Sequence, residues 1–130
     1  MSDFSKTYVI GFPLDVVYAS WVSERTVIPP ASELVIEPEP GGVYRLVMPG
    51  GMRMNGAFSE VSAERRLRYS WQWEGTDEAT EVEVNFAAHS DGTEVSIDHR
   101  GFTTADSLET HASGWDRYVE GLADFLAQRR

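Results

Sequence analysis

Along residues 66–73, RLRYSWQW, Leu67, Tyr69, Trp71 and Trp73 fall on one parity and Arg66, Arg68, Ser70 and Gln72 on the other. Successive strand side chains point to opposite faces, so this spacing puts three aromatic rings on one side of a sheet. The same period of two runs through TEVEVNFAAH, where Val82, Val84, Phe86 and Ala88 share a face, and through TEVSIDHRGF with Val95, Ile97 and His99. The opposite parity carries Glu81, Glu83, Asn85, Glu94, Ser96, Asp98 and Arg100. Cross-strand pairs of opposite charge there are worth ~0.2–1 kcal/mol each. SELVIEPEP, GGVYRLVMPGG and MRMNGAFSEV read as three further strands, and Thr7 to Ile10 as another short one. Turns at Pro40-Gly41-Gly42, Gly50-Gly51, SAE, GTDEA and SDG separate them. The pattern predicts an antiparallel sheet with one apolar face.

The period changes in two places. After Gly11, Pro13 supplies the fixed φ favoured at the first position of a helix, and Leu14, Val17, Tyr18 and Trp21 then recur at three- and four-residue spacing until Pro29 and Pro30 close the region. Residues 105–130 form the longer helix. Its D-x-x-E start at Asp106 and Glu109 resembles a capping box, and Arg129 and Arg130 at its end suit the helix dipole. Its apolar stripe is Leu108, Ala112, Trp115, Tyr118, Val119, Leu122, Phe125 and Leu126, with Asp116, Arg117, Glu120 and Asp124 facing water. Only the aromatic face of the sheet is large enough to cover that stripe. The predicted architecture is therefore α+β, a curved antiparallel sheet gripping the C-terminal helix, with the short N-terminal helix closing one end.

Composition narrows what such a domain does. With 130 residues and 42% hydrophobic content, residues 1–130 fit a single domain able to bury a sizeable core. A formal net charge of −10, with only Arg65, Arg66 and Arg68 clustered, argues against a nucleic-acid partner, which needs phosphate-neutralising cations on one face. The absence of cysteine excludes disulfides and thiolate chemistry. No basic segment followed by a long apolar run stands at the start, and no apolar stretch approaches the ~20 residues of a membrane span. A soluble, cytoplasmic protein is the expectation.

Candidate chemistry is sparse. His99 lies on the apolar face of the last strand and His111 about two turns into the final helix; both flank RGFTTADS, so they are expected at one end of the space between sheet and helix. They read either as satisfied structural histidines or as polar pocket residues. His89, beside SDG, reads as a solvated turn residue. The spacings of a histidine metal site and the G-x-S-x-G elbow do not occur, so neither a metal nor a cofactor is expected. Glu37 with Glu39 and Glu81 with Glu83 read as exposed strand faces rather than acid–base pairs. Met48, Met52 and Met54 bracket the turn near Pro49, where flexible thioethers suit either an adaptable pocket mouth or core filling. Arg45 and Arg53 are expected to point outward.

The order of strand, short helix, six-strand meander and long helix resembles the helix-grip fold of the START and Bet v 1-like (SRPBCC) superfamily. FPLDVVYASW, EPGGVYRL, NGAFSEVSAERRLRYSW, DGTEVSIDHRGF and SGWDRYVEGLADFL resemble the branch related to the C-terminal domain of the activator of Hsp90 ATPase. One departure stands out: SERTVIPPASEL is short and lacks a tryptophan common after the first helix in that branch. The resemblance implies a cavity between sheet and helix for a small hydrophobic molecule. Tyr69, Trp71, Trp73, Phe86 and Trp115 are its expected walls, joined by His99, His111, Tyr118, Met48 and Met54. A non-catalytic binding role follows. The alternatives are a chaperone or homodimer partner in the manner of the activator, or a polyketide cyclase or dehydratase using His99 and His111 as acid and base. Whether the rings fill the space or leave a gap stays open, but Leu67 and Tyr69 are expected as core, and Trp71 and Trp73 near a cavity mouth.

Overall fold

A computed structural model describes residues 2–128; Arg129 and Arg130, expected to suit the dipole of the last helix, lie outside the described residues. The chain runs β1 (Ser2–Ile10), α1 (Leu14–Trp21), β2 (Glu33–Ile36), β3 (Val43–Val47), a 3-10 turn at Pro49–Gly51, β4 (Arg53–Ser62), β5 (Arg66–Trp73), β6 (Thr80–His89), β7 (Gly92–Phe102) and α2 (Ala105–Gln128). The seven strands form one antiparallel sheet in the order β1-β7-β6-β5-β4-β3-β2. This is the α+β helix-grip arrangement expected from the alternation.

β1 is longer than its apolar run of Thr7 to Ile10. Residues 2–6 are mostly polar and carry no strand signal, yet they pair with β7 from Ser2 opposite Phe102 to Lys6 opposite Ile97. A well-formed neighbour supplies the backbone partners that the side-chain pattern does not advertise. Pro13, at φ −61° and ψ 153°, stands one residue before α1 rather than inside it. The cap of α2 also differs from expectation. Thr104 Oγ1 accepts a hydrogen bond from the Ser107 backbone N–H at 3.0 Å, so the helix begins earlier than a cap at Asp106 would allow. Asp106 instead lies in the first turn, where its charge still suits the dipole.

The core forms where the apolar parity of the sheet meets α1 and α2. Leu67, Tyr69, Val82, Val84, Ile97 and Leu122 are fully enclosed. On the outer face, Arg68 Nε lies 2.9 Å from Glu83 Oε1 and Arg66 Nε donates to Asn85 Oδ1 at 2.8 Å, the cross-strand pairing set by the register. Asp116, though exposed, ties α2 to β1 by accepting from Lys6 Nζ at 2.8 Å and from the Tyr8 hydroxyl at 2.7 Å. No helix among the described residues is long and apolar enough to cross a membrane.

Candidate functional site

The aromatic strand β5 divides into two halves. Leu67 and Tyr69 sit opposite Val84 and Val82, and Trp71 opposite Thr80, where β6 begins. Trp73 therefore extends past the end of β6 and has a strand partner only in Met54 of β4. At the inner half, Tyr69 stacks on Tyr44 with ring centroids 4.5 Å apart and meets Phe58 edge-on at 5.3 Å. α1 closes this half: Phe86 meets Tyr18 at 5.3 Å and Trp21 at 5.6 Å, both edge to face.

Beyond Trp71, Trp73 still reaches α2 through His111, and a gap is left beside that contact. A cavity of about 560 Å³ opens there, walled by Trp71 and Trp73 from β5, by His111, Gly114, Trp115 and Tyr118 from α2, and by Tyr44, Leu46 and Met48 around β3. Its third wall is the connection between α1 and β2, through Thr26, Ile28 and Ala31, together with Leu34 of β2. A glycine seats this connection. A Cβ on Gly121 of α2 would stand 2.3 Å from Ile28 Cγ2, so only a residue without a side chain lets Ile28 reach the helix at its present position. Exposed residues including Met52, Glu74, Asp106 and Arg117 ring the mouth. A second, more open depression of about 700 Å³ lies beside α1 between Val16, Arg25 and Leu126 and contains none of the expected site residues.

Two indole–imidazole pairs stiffen the cavity wall. Trp115 Nε1 donates to His99 Nδ1 at 3.0 Å, and His99 Nε2 lies 2.7 Å from Thr80 Oγ1, which donates to the Trp71 carbonyl at 2.7 Å. An indole nitrogen can only donate, so His99 Nδ1 is an acceptor and the ring hydrogen sits on Nε2. A proton added at Nδ1 would face the indole N–H. Burial, reinforced by neighbouring His111 and opposed by Glu78, pushes the His99 pKa down to about 3. The second pair repeats the logic: Trp73 Nε1 donates to His111 Nε2 at 3.0 Å, and His111 Nδ1 lies 2.8 Å from the Ser107 carbonyl. The rings of His99 and His111 approach to 5.2 Å, edge to face, as their flanking positions predicted.

Glu78, in the connection after β5, clamps the start of α2 at the mouth. It accepts from the Thr103 N–H at 2.7 Å, the Thr103 hydroxyl at 2.8 Å and the Ser107 hydroxyl at 2.5 Å. Partial burial works to raise its pKa, and these hydrogen bonds outweigh it, holding the carboxylate below its usual range.

Of the residues singled out in the sequence, Trp71, Trp73, His111, Trp115, Tyr118 and Met48 line the cavity. Tyr69, Phe86, His99 and Met54 do not. Tyr69 and Met54 are fully enclosed in the core, Phe86 is wedged against α1, and His99 stands behind Trp71 and Trp115 as their hydrogen-bonding support. All four share the correct face; what removes them from the wall is a covering layer that the strand pattern does not encode. His89 Nδ1 accepts from the Asp91 N–H at 3.0 Å across its turn. Arg45 donates to Asn55 Oδ1 at 2.8 Å, and Arg53 is exposed, its Nε 3.9 Å from Glu74. Tyr44, grouped in the sequence with the methionines before β5 as either pocket mouth or core, lines the cavity, whereas Leu46, Thr26, Ile28, Ala31 and Leu34 were not expected there. Tyr44 and Leu46 of β3 share a parity with Met48 just after it, so that signal was present.

Residues 12–127 match the family model described as Activator of Hsp90 ATPase homolog 1-like protein. No curated protein sequence matches the chain. Among solved structures, protein MLL2253 from Mesorhizobium loti is similar with a TM-score of 0.89 at 15% identity, covering 99% of both chains. The AHSA1-like protein from Aeromonas hydrophila gives 0.79 at 16% identity, over 98% of this chain and 94% of its own. DynU16, a protein of the dynemicin biosynthetic locus, gives 0.87 at 18% identity over 100% of this chain and 49% of its own. At such identities the likeness carries the fold.

Proposed function

The chain belongs to the Activator of Hsp90 ATPase homolog 1-like family, and from that premise we propose that it binds a small, largely apolar molecule, aromatic or lipid-like, in the cavity between sheet and α2. One observation carries this reading: beside the contacting tryptophans of β5 and α2, about 560 Å³ remains against largely apolar walls. Burial of ligand surface against Trp71, Trp73 and Trp115 supplies the affinity. A non-catalytic role is favoured because both histidines already spend both ring nitrogens on protein partners. Acid–base catalysis by His99 and His111 would first have to break those pairs. A chaperone partner is suggested by the family's description alone, and a cytoplasmic location stays part of the proposal.

Gly114 offers the test. It lines the cavity, and a Cβ built there meets nothing within 4 Å. Gly114→Leu should therefore fill the cavity from the helix side, with a gain in helix propensity of up to ~1 kcal/mol. Calorimetric titration with a panel of uncharged hydrophobic compounds is expected to show binding to the wild type and at least tenfold weaker binding to the variant, with an undiminished Tm. Absence of binding by every compound would sink the cavity reading.

A further inference from the structure

Tyr44 is 4% exposed, yet it lines the cavity. Its ring stacks on Tyr69 at 4.5 Å with 17° between the planes, and stands 6.2 Å from Trp71. No acceptor for the Tyr44 hydroxyl proton is found among the described residues. Two other residues of the cavity wall carry buried polar atoms that likewise lack a partner, Trp71 Nε1 and the Tyr118 hydroxyl. Burial pushes the Tyr44 pKa up to about 12, so the phenol keeps that proton at neutral pH. A buried donor facing an apolar cavity rejects ligands that offer it nothing, because leaving it unpaired forfeits its hydration.

The mouth adds a second selection. Glu74, Glu78 and Asp106 stand around it with Arg117, and Arg53 lies beside Glu74, so carboxylates outnumber cations three to two at the mouth of a chain of net charge −10. An anionic ligand is repelled by these groups as it enters. The same cavity thus disfavours both a pure hydrocarbon and a carboxylate.

We propose that the cavity is selective for an uncharged aromatic ligand bearing a carbonyl oxygen, which accepts a hydrogen bond from the Tyr44 hydroxyl. The inference rests on the binding role argued above and names its ligand class.

Calorimetric titration of the full chain with 9-fluorenone, fluorene and 9-fluorenone-4-carboxylate tests it, since the three share one tricyclic outline. The ketone is expected to bind about tenfold tighter than the hydrocarbon, the scale of one well-placed hydrogen bond, and tighter than the carboxylate. Tyr44→Phe, which removes a single oxygen, should bring the ketone-to-hydrocarbon ratio close to one. Equal wild-type affinities for fluorenone and fluorene, or a ratio retained in Tyr44→Phe, would overturn the Tyr44 subsite while leaving hydrophobic binding intact. Carboxylate binding as tight as the ketone's would overturn the charge selection, and binding of none of the three while other compounds of the hydrophobic panel bind would overturn the ligand class and leave the cavity standing.

Discussion

The two halves of β5 carry the same kind of residue at the same spacing and end differently. Leu67 and Tyr69 are covered and become core, whereas Trp71 and Trp73 become walls of a cavity. Parity is identical along the strand, so parity does not make the difference. The cover does. α1 lays Trp21 and Tyr18 against Phe86 and the inner half, while the outer half touches α2 through Trp71 with Trp115 and Trp73 with His111 and is otherwise faced by the connection after α1, held to α2 through Ile28 and Gly121. A helix packs its side chains densely against a sheet, and a short connection bridges the gap without filling it. The outer half also holds the polar pairs, because Trp73 and Trp115 each need an acceptor for a buried or half-buried indole N–H.

The sharpest way to break this contrast is to truncate one aromatic packed under α1 beside the inner half, Phe86 of β6, and one from the outer half of β5. Phe86→Ala should cost about 3–5 kcal/mol in chemical denaturation, the usual penalty for a large ring removed from a packed core. Trp73→Ala, half-buried at the mouth, should cost about 1 kcal/mol and act mainly on ligand affinity. Equal stability costs would mean that the two halves are one core and the division is wrong.

A smaller effect comes from pH. The folded His99 has a pKa of about 3, below the ordinary histidine value near 6.5, so the unfolded chain takes up its proton first. The stability it contributes is complete above about pH 6.5 and is lost progressively as pH falls toward 3. Between pH 6.5 and 5, above the range where carboxylates titrate, the loss should approach ~2 kcal/mol. Thermal melts across that interval should show it, and His99→Gln should flatten the dependence. A wild-type curve already flat there would show that the Trp115–His99–Thr80 series tolerates a proton.

The smallest effect belongs to the clamp at the mouth. Glu78→Ala removes the acceptor of three hydrogen bonds at the start of α2 and should lower stability by about 1 kcal/mol. Hydrogen exchange should rise in the first turn of α2 and in the connection after β5, leaving amides near Phe86 unchanged. Increased exchange in both halves alike would join what the structure separates.

Alternation and helical period alone determined the strands from β2 to β7, the two helices and the face on which the rings lie. Each of these follows from the covalent direction of neighbouring side chains, which is local. The polar start of β1 escaped because its place is set by β7, a partner some ninety residues away, and the cap of α2 fell on Thr104 because Asp106 competes with a residue two positions earlier. The site shows the same boundary. Trp71, Trp73, His111, Trp115, Tyr118 and Met48 were legible as wall residues, since parity and stripe position point them inward. That Tyr69, Met54, Phe86 and His99 are core or support, that Tyr44 reaches the cavity, and that a cavity exists at all were decided by tertiary structure. Those outcomes depend on how far α1 reaches across the sheet and where Gly121 admits Ile28, quantities set by packing between distant segments rather than by any stretch of chain.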